Sequence, residues 1–249
     1  HADATHNAGV LAMNINQTEK GLRLLERATQ IKPIAEQYWA SYITALTETL
    51  PLAQVCNIVQ TAKWRASTDS VVSTVEELLK KAAWDANPPS DLFDSVNELY
   101  SKGNYTRAIS ASGQLQKNYP DSFLIETLKA ASFVALGELR KAEDCCRKAI
   151  HLCPSYADAH NNLGGILKEQ GAWEEALQSF ESAIAISPNY AEAHRNMAAL
   201  KKDAADFEGA ANSFRTALAI NPLLVDINID LGEALLETAH LKEAEQCFR

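Results

Sequence analysis

Prolines recur in this sequence at a fixed step: Pro120, Pro154, Pro188 and Pro222 are each separated by 34 residues. Ala108, Ala142, Ala176, Ala210 and Ala244 keep the same step, and so do Gly103, Gly137, Gly171, Ala205 and Ala239. Three series in one period confine the chain to a repeat architecture. Each copy is then a supersecondary unit that can bury its apolar surface only against its neighbours.

Each series has a mechanical reading. The Gly or Ala lies between two apolar-periodic runs, where a first helix must end and turn back, and glycine reaches the left-handed conformation without a Cβ clash. The recurring alanine sits where the second helix crosses the first, so that the two backbones can approach closely. Proline lacks the N–H that would continue the second helix and pushes its predecessor out of helical geometry. One copy is therefore a helical hairpin with its own punctuation. In the copy from Ala157 to Tyr190, His160, Leu163, Gly164 and Leu167 share one face of the first helix, and Ala176, Phe180, Ala183 and Ile184 share the facing side of the second.

Composition agrees with helix. Glycine and proline are scarce, at 10 and 8 residues, while 47% of the 249 residues are hydrophobic. The formal net charge of -9 opposes a nucleic-acid partner, which needs clustered Lys and Arg to neutralise phosphates. A base-per-repeat RNA reader would also need a 35-residue step and a basic groove. No run of apolar residues is long enough to span a membrane and no signal peptide is visible, so a cytoplasmic protein with no membrane partner is expected. Cys56, Cys145, Cys146, Cys153 and Cys247 are odd in number and lack framework spacing, which reads as free thiols in a reducing compartment. Cys145, Cys146, His151 and Cys153 are the compact group of metal-capable residues, but adjacent cysteines diverge by about 100° on a helix, and Cys146 fills the core position held elsewhere by Phe180 and Phe214. No metal, cofactor or catalytic residue is expected, since no phosphate loop, nucleophile elbow or acid pair is present.

The large, small and aromatic positions together with the terminal proline resemble the tetratricopeptide repeat (TPR). The resemblance implies an all-α fold, a right-handed superhelix of stacked antiparallel helix pairs forming a TPR solenoid. Copies begin at Pro89, Phe123, Ala157, Ala191 and Val225, the last stopping at Arg249, so residues 89–249 are read as four full repeats and a truncated fifth. Residues 1–69 are read as two N-terminal repeats. The first carries Gly9, Gly21, Ala28 and Pro33 in register, and the second is degenerate, with Tyr42, Leu46 and Ala62 in place but Val55 at the crossing. Residues 70–88 form an extra helix over Ser70–Asp85, with Val71, Val75, Leu78, Leu79 and Ala82 on one face, closed by Asn87-Pro88-Pro89. Both ends look cut, which points to a fragment of a longer protein.

The resemblance further implies that first helices line the concave side of the superhelix and hold a peptide or a protein domain. The sixth residue of each copy is Asn7, Ser41, Asp94, Leu128, Asn162, Asn196 and Asp230. A primary amide offers two donors and an acceptor, so stacked Asn side chains can bracket a peptide backbone. His160-Asn161-Asn162-Leu163-Gly164 is similar to the wording of the Asn-ladder arms of O-linked N-acetylglucosamine transferases, although Leu128, Asp94 and Ser41 interrupt the ladder and Asp230 replaces its next amide. The peptide-contact candidates are Asn162, Asn196, Asp230, Asp158, Arg195, Lys168, Lys202 and Leu128, with Glu192, Asp226 and Glu233 nearby. Leu124, Thr127, Leu128, Ala131 and Val134 form an apolar middle. Acidic Glu192, Asp226 and Asp230 stand where chaperone-tail-binding members carry basic residues, which opposes that partner. The leading expectation is a non-enzymatic binding scaffold. The alternative is the non-catalytic arm of a bacterial glycosyltransferase or sulfotransferase, whose catalytic domain would lie elsewhere in the parent chain.

Overall fold

The computed structural model describes residues 1–61 and 69–248, and among these all regular secondary structure is α-helical, with no strand. Ala62 and Arg249 lie outside the described residues. Two compact units are present. The first comprises His1–Glu98, Ser110–Ile125 and His151–Pro154, and the second comprises Leu99–Ile109, Glu126–Ile150 and Ser155–Arg249. The repeat register, which breaks at residues 70–88, gives no hint of this interleaved division.

In the first unit, α1 (Ala2–Asn14) and α2 (Thr18–Ile31) form a hairpin. A Cβ on Gly9 would lie 2.9 Å from Leu25 Cγ, so a glycine is what lets the two helices close. Next come α3 (Glu36–Thr49), α4 (Leu52–Thr61) and α5 (Asp69–Asp85). Among the described residues α3 packs chiefly on α2 and α5, and less on α4. Val55, fully buried on α4, stands where the other copies carry a small residue, and it packs into the same core as Tyr42, Ile43 and Leu46 of α3. The helix beyond the degenerate copy packs on α3 as well: Val71 and Val75 of α5 join Val55 and Val59 of α4 and Tyr42, Ile43 and Leu46 of α3 in one core, and the Ser70 hydroxyl donates to the Glu36 carboxylate.

Four helices contribute to both units: α6 (Ser90–Ser101), α7 (Tyr105–Leu115), α8 (Phe123–Ala135) and α9 (Leu139–Leu152). Wholly within the second unit, α10 (Ala157–Glu169) pairs with α11 (Trp173–Ile186), α12 (Ala191–Asp203) with α13 (Phe207–Ile220), and α14 (Ile227–Glu237) with α15 (Leu241–Cys247). In addition α11 packs on α12 and α13 on α14, so these hairpins stack in sequence order. The turns follow the punctuation: Gly171 sits at φ 80°, and Ala205 and Ala239 hold the same left-handed region at φ 61°. At each, backbone N–H groups close the preceding helix, as in Gly171 N to Lys168 O at 3.0 Å and Ala172 N to Leu167 O at 2.9 Å. Phe180 and Phe214 are fully enclosed, as is Cys146 in the matching position on α9.

Candidate functional site

The faces of α10, α12 and α14, joined by the part of α8 that belongs to the second unit, carry most of the residues singled out for peptide contact. A depression of about 230 Å³ opens on this face. It is lined by apolar Ala130, Ala131, Val134 and Ile166 and by polar Asn161, Asn162, Asn196, Glu169 and Tyr100. Gly165 of α10 lines the depression, and a Cβ there would meet nothing within 4 Å.

Asn162 and Asn196 both line the depression. Asn196 Nδ2 donates to Asn161 Oδ1 at 3.0 Å, and Asn161 is buried at 6% exposure. Sequence reasoning passed over Asn161. The signal was present in the doubled Asn, because neighbouring residues on a helix differ by about 100° and one of two must turn toward the next first helix. Leu128 corrects the reading in the opposite direction: at 6% exposure it packs inward on α8 and is not a contact surface. An apolar side chain at that register position gains more from the core than from the groove. Of the proposed apolar middle, Ala131 and Val134 line the depression, while Leu124 belongs to the first unit. Asp94, Asn7 and Ser41 also belong to the first unit, where His6 Nε2 lies 2.9 Å from Ser41 Oγ and His6 Nδ1 lies 3.3 Å from Asn7 Oδ1.

The charged candidates are occupied with one another. Lys168 Nζ meets Asp203 at 2.7 Å, Arg195 meets Asp226 at 3.6 Å, and Lys202 bonds Asp230 and also Glu233 at 2.9 Å. Each pair ties one first helix to the next. Burial is the largest influence on Lys202 and disfavours its charge, yet the hydrogen bonds it donates to Asp230 and Glu233 and their negative charges outweigh it and leave the pKa above its ordinary value. Asp158 accepts a hydrogen bond from the Tyr190 hydroxyl, whose pKa is raised first by burial and then by that carboxylate.

Cys145 and Cys146 lie in the second unit, and His151 and Cys153 in the first. Among the described residues no group of three or more His, Cys, Asp and Glu is placed to hold a metal ion. Burial pushes the Cys146 thiol up to about 12 and the Cys145 and Cys56 thiols up to about 11. No helix among the described residues is long and apolar enough to cross a membrane.

Hairpins stacked in sequence order, each closed by a left-handed residue and a small-residue crossing, define an all-α helical-repeat protein. Family models described as tetratricopeptide repeat match residues 98–122 and 145–178, and one described as TPR repeat matches 164–203. The matched stretches of the chain are tetratricopeptide repeats. The chain is 30% identical over 96 residues to the TPR repeat-containing thioredoxin TTL4 of Arabidopsis thaliana, a match covering 39% of this chain and 14% of that protein. A second relative, the small glutamine-rich tetratricopeptide repeat-containing protein 2 of Mycosarcoma maydis, is 28% identical over 85 residues, 34% of this chain and 24% of that protein. The chain therefore spans a minor part of the length of these relatives. Among solved structures, MamA of Desulfovibrio magneticus RS-1 superposes with a TM-score of 0.56 at 16% identity, covering 63% of this chain and 89% of that one. The thermophilic TPR protein TTC0263 of Thermus thermophilus superposes with a TM-score of 0.51 at 16% identity, covering 95% and 100%. These superpositions concern the fold.

Proposed function

We propose that this chain is a protein-interaction scaffold whose second unit holds an extended peptide, or an extended segment of a protein domain, along the faces of α10, α12 and α14. The observation that carries this reading is the depression edged by Asn161, Asn162 and Asn196 over a floor of small and apolar side chains. Amides that both donate and accept can pair with a peptide backbone whatever its side chains, and the floor leaves room for one side chain to enter. A free scaffold and the non-catalytic arm of a larger transferase would use this face in the same way, and the reading frame around the chain separates the two.

Asn162 is the informative residue, because Asn161 and Asn196 also hold each other. Peptides selected from an unbiased displayed library against the chain are expected to bind Asn162→Ala roughly fivefold to tenfold more weakly, the loss of one or two hydrogen bonds. Far-UV circular dichroism should be unchanged. Equal affinity of every selected peptide for the two proteins would remove this face from the account.

A further inference from the structure

We infer that the peptide held on this face is basic, an extended segment carrying lysine or arginine side chains. This rests on the reading of the face as a peptide groove and adds the charge of its partner.

The inference follows from which charges on the face are free. Its cations are committed: Lys168 to Asp203, Arg195 to Asp226, and Lys202 to both Asp230 and Glu233. An acidic partner would have to pull these cations away from carboxylates that join one first helix to the next. Carboxylates, by contrast, are left over. Glu169 stands on the edge of the depression and Glu192 in the first turn of α12, both exposed and neither in an ion pair among the described residues. The chain as a whole carries a formal charge of -9, so the field met by an approaching peptide has the same sign.

The shape fits as well. A lysine side chain has a long methylene stem and a charged end, and such side chains lay the stem on apolar surface while the end stays in a polar setting. Here Ala131 and Val134, both partly exposed, offer the surface, and Glu169 beside them offers the carboxylate.

The test is fluorescence anisotropy on the full chain with three labelled peptides of equal length, alternating alanine with lysine, with glutamine or with glutamate. The lysine probe should bind most tightly and the glutamate probe least, and binding of the lysine probe should weaken as salt shortens the screening length from about 14 to about 6 Å. Glu169→Gln should weaken the lysine probe roughly twofold to fivefold, the size of one exposed ion pair, and leave the glutamine probe unchanged. Glu181→Gln, an exposed carboxylate on α11 away from the depression, should change neither. Equal binding of the lysine and glutamine probes, no binding of the lysine probe, or an equal effect of Glu169→Gln and Glu181→Gln would overturn the inference. Asn162→Ala separates the two layers: it should weaken both the lysine and glutamine probes. If it still does so while Glu169→Gln does nothing, the groove stands and its basic partner falls; if it affects neither bound probe, the groove reading itself falls.

Discussion

At the scale of single residues, two adjacent glycines on α10 do opposite work. A Cβ on Gly164 would lie 2.6 Å from the Phe180 ring, which is fully enclosed and has nowhere to go. Gly164→Ala is therefore expected to lower stability by about 1–3 kcal/mol through overpacking. Gly165→Ala meets no atom within 4 Å and should raise stability by about 0.5–1 kcal/mol, because alanine loses less backbone entropy in a helix. Urea unfolding of the two variants checks both signs. Ala205 is a residue with a Cβ held at φ 61°, so Ala205→Gly should stabilise by about 1 kcal/mol, the strain of a left-handed alanine, read as a higher Tm.

The buried thiols make a pH prediction of definite sign. Cys146, raised to about 12 by burial, ionises in the unfolded chain near pH 8.5 or so. Its folded pKa is the higher one, so the stability linked to it is whole below about pH 8 and is lost as pH climbs toward 12. Unfolding free energy measured against pH should fall above about pH 9, and less steeply in Cys146→Ala. An identical alkaline slope in that variant would contradict the burial described.

At the scale of elements, neighbouring helices are joined by charge as well as by packing. Arg215 grips Glu243 through two hydrogen bonds of 2.9 Å, linking α13 to α15, and Arg147 reaches Glu175 at 3.1 Å, linking α9 to α11. These groups are half exposed, so solvent screening leaves each pair little weight in stability. Glu126 on α8 is different. Its side chain is 1% exposed, and it meets Lys129 at 3.1 Å and the Lys148 ammonium of α9. Glu126→Ala should cost about 1–3 kcal/mol in urea unfolding, since hydrogen bonds to a buried charge are lost and Lys129 keeps its own partly desolvated charge. A loss below about 0.5 kcal/mol would mean that the carboxylate is not the link between α8 and α9.

At the scale of the whole molecule, period and punctuation were legible and the exceptions were not. The series through Gly171, Ala205 and Ala239 located turns because left-handed geometry leaves a sequence mark, and the apolar stripe after residue 69 located α5 because helical periodicity is local. What α5 packs on was not legible. It depends on a core that Val55 and Val59 of α4 share with Val71 and Val75 of α5 against one face of α3, an arrangement that no spacing records. The site shows the same limit: register brought Asn162 and Asn196 to one face, whereas the bond from Asn196 to Asn161, the inward turn of Leu128 and the pairing of Lys168, Arg195 and Lys202 are settled by distances between helices that no spacing rule records.

The most direct measurement of the central claim is amide hydrogen exchange of the chain with and without a bound peptide selected from the displayed library. Added protection is expected in α10 and α12, centred on Asn161, Asn162, Gly165 and Asn196, with α11 and α13 protected less. Protection confined to the second helices, or to the first unit, would contradict the claim that the first-helix face of the second unit receives the partner.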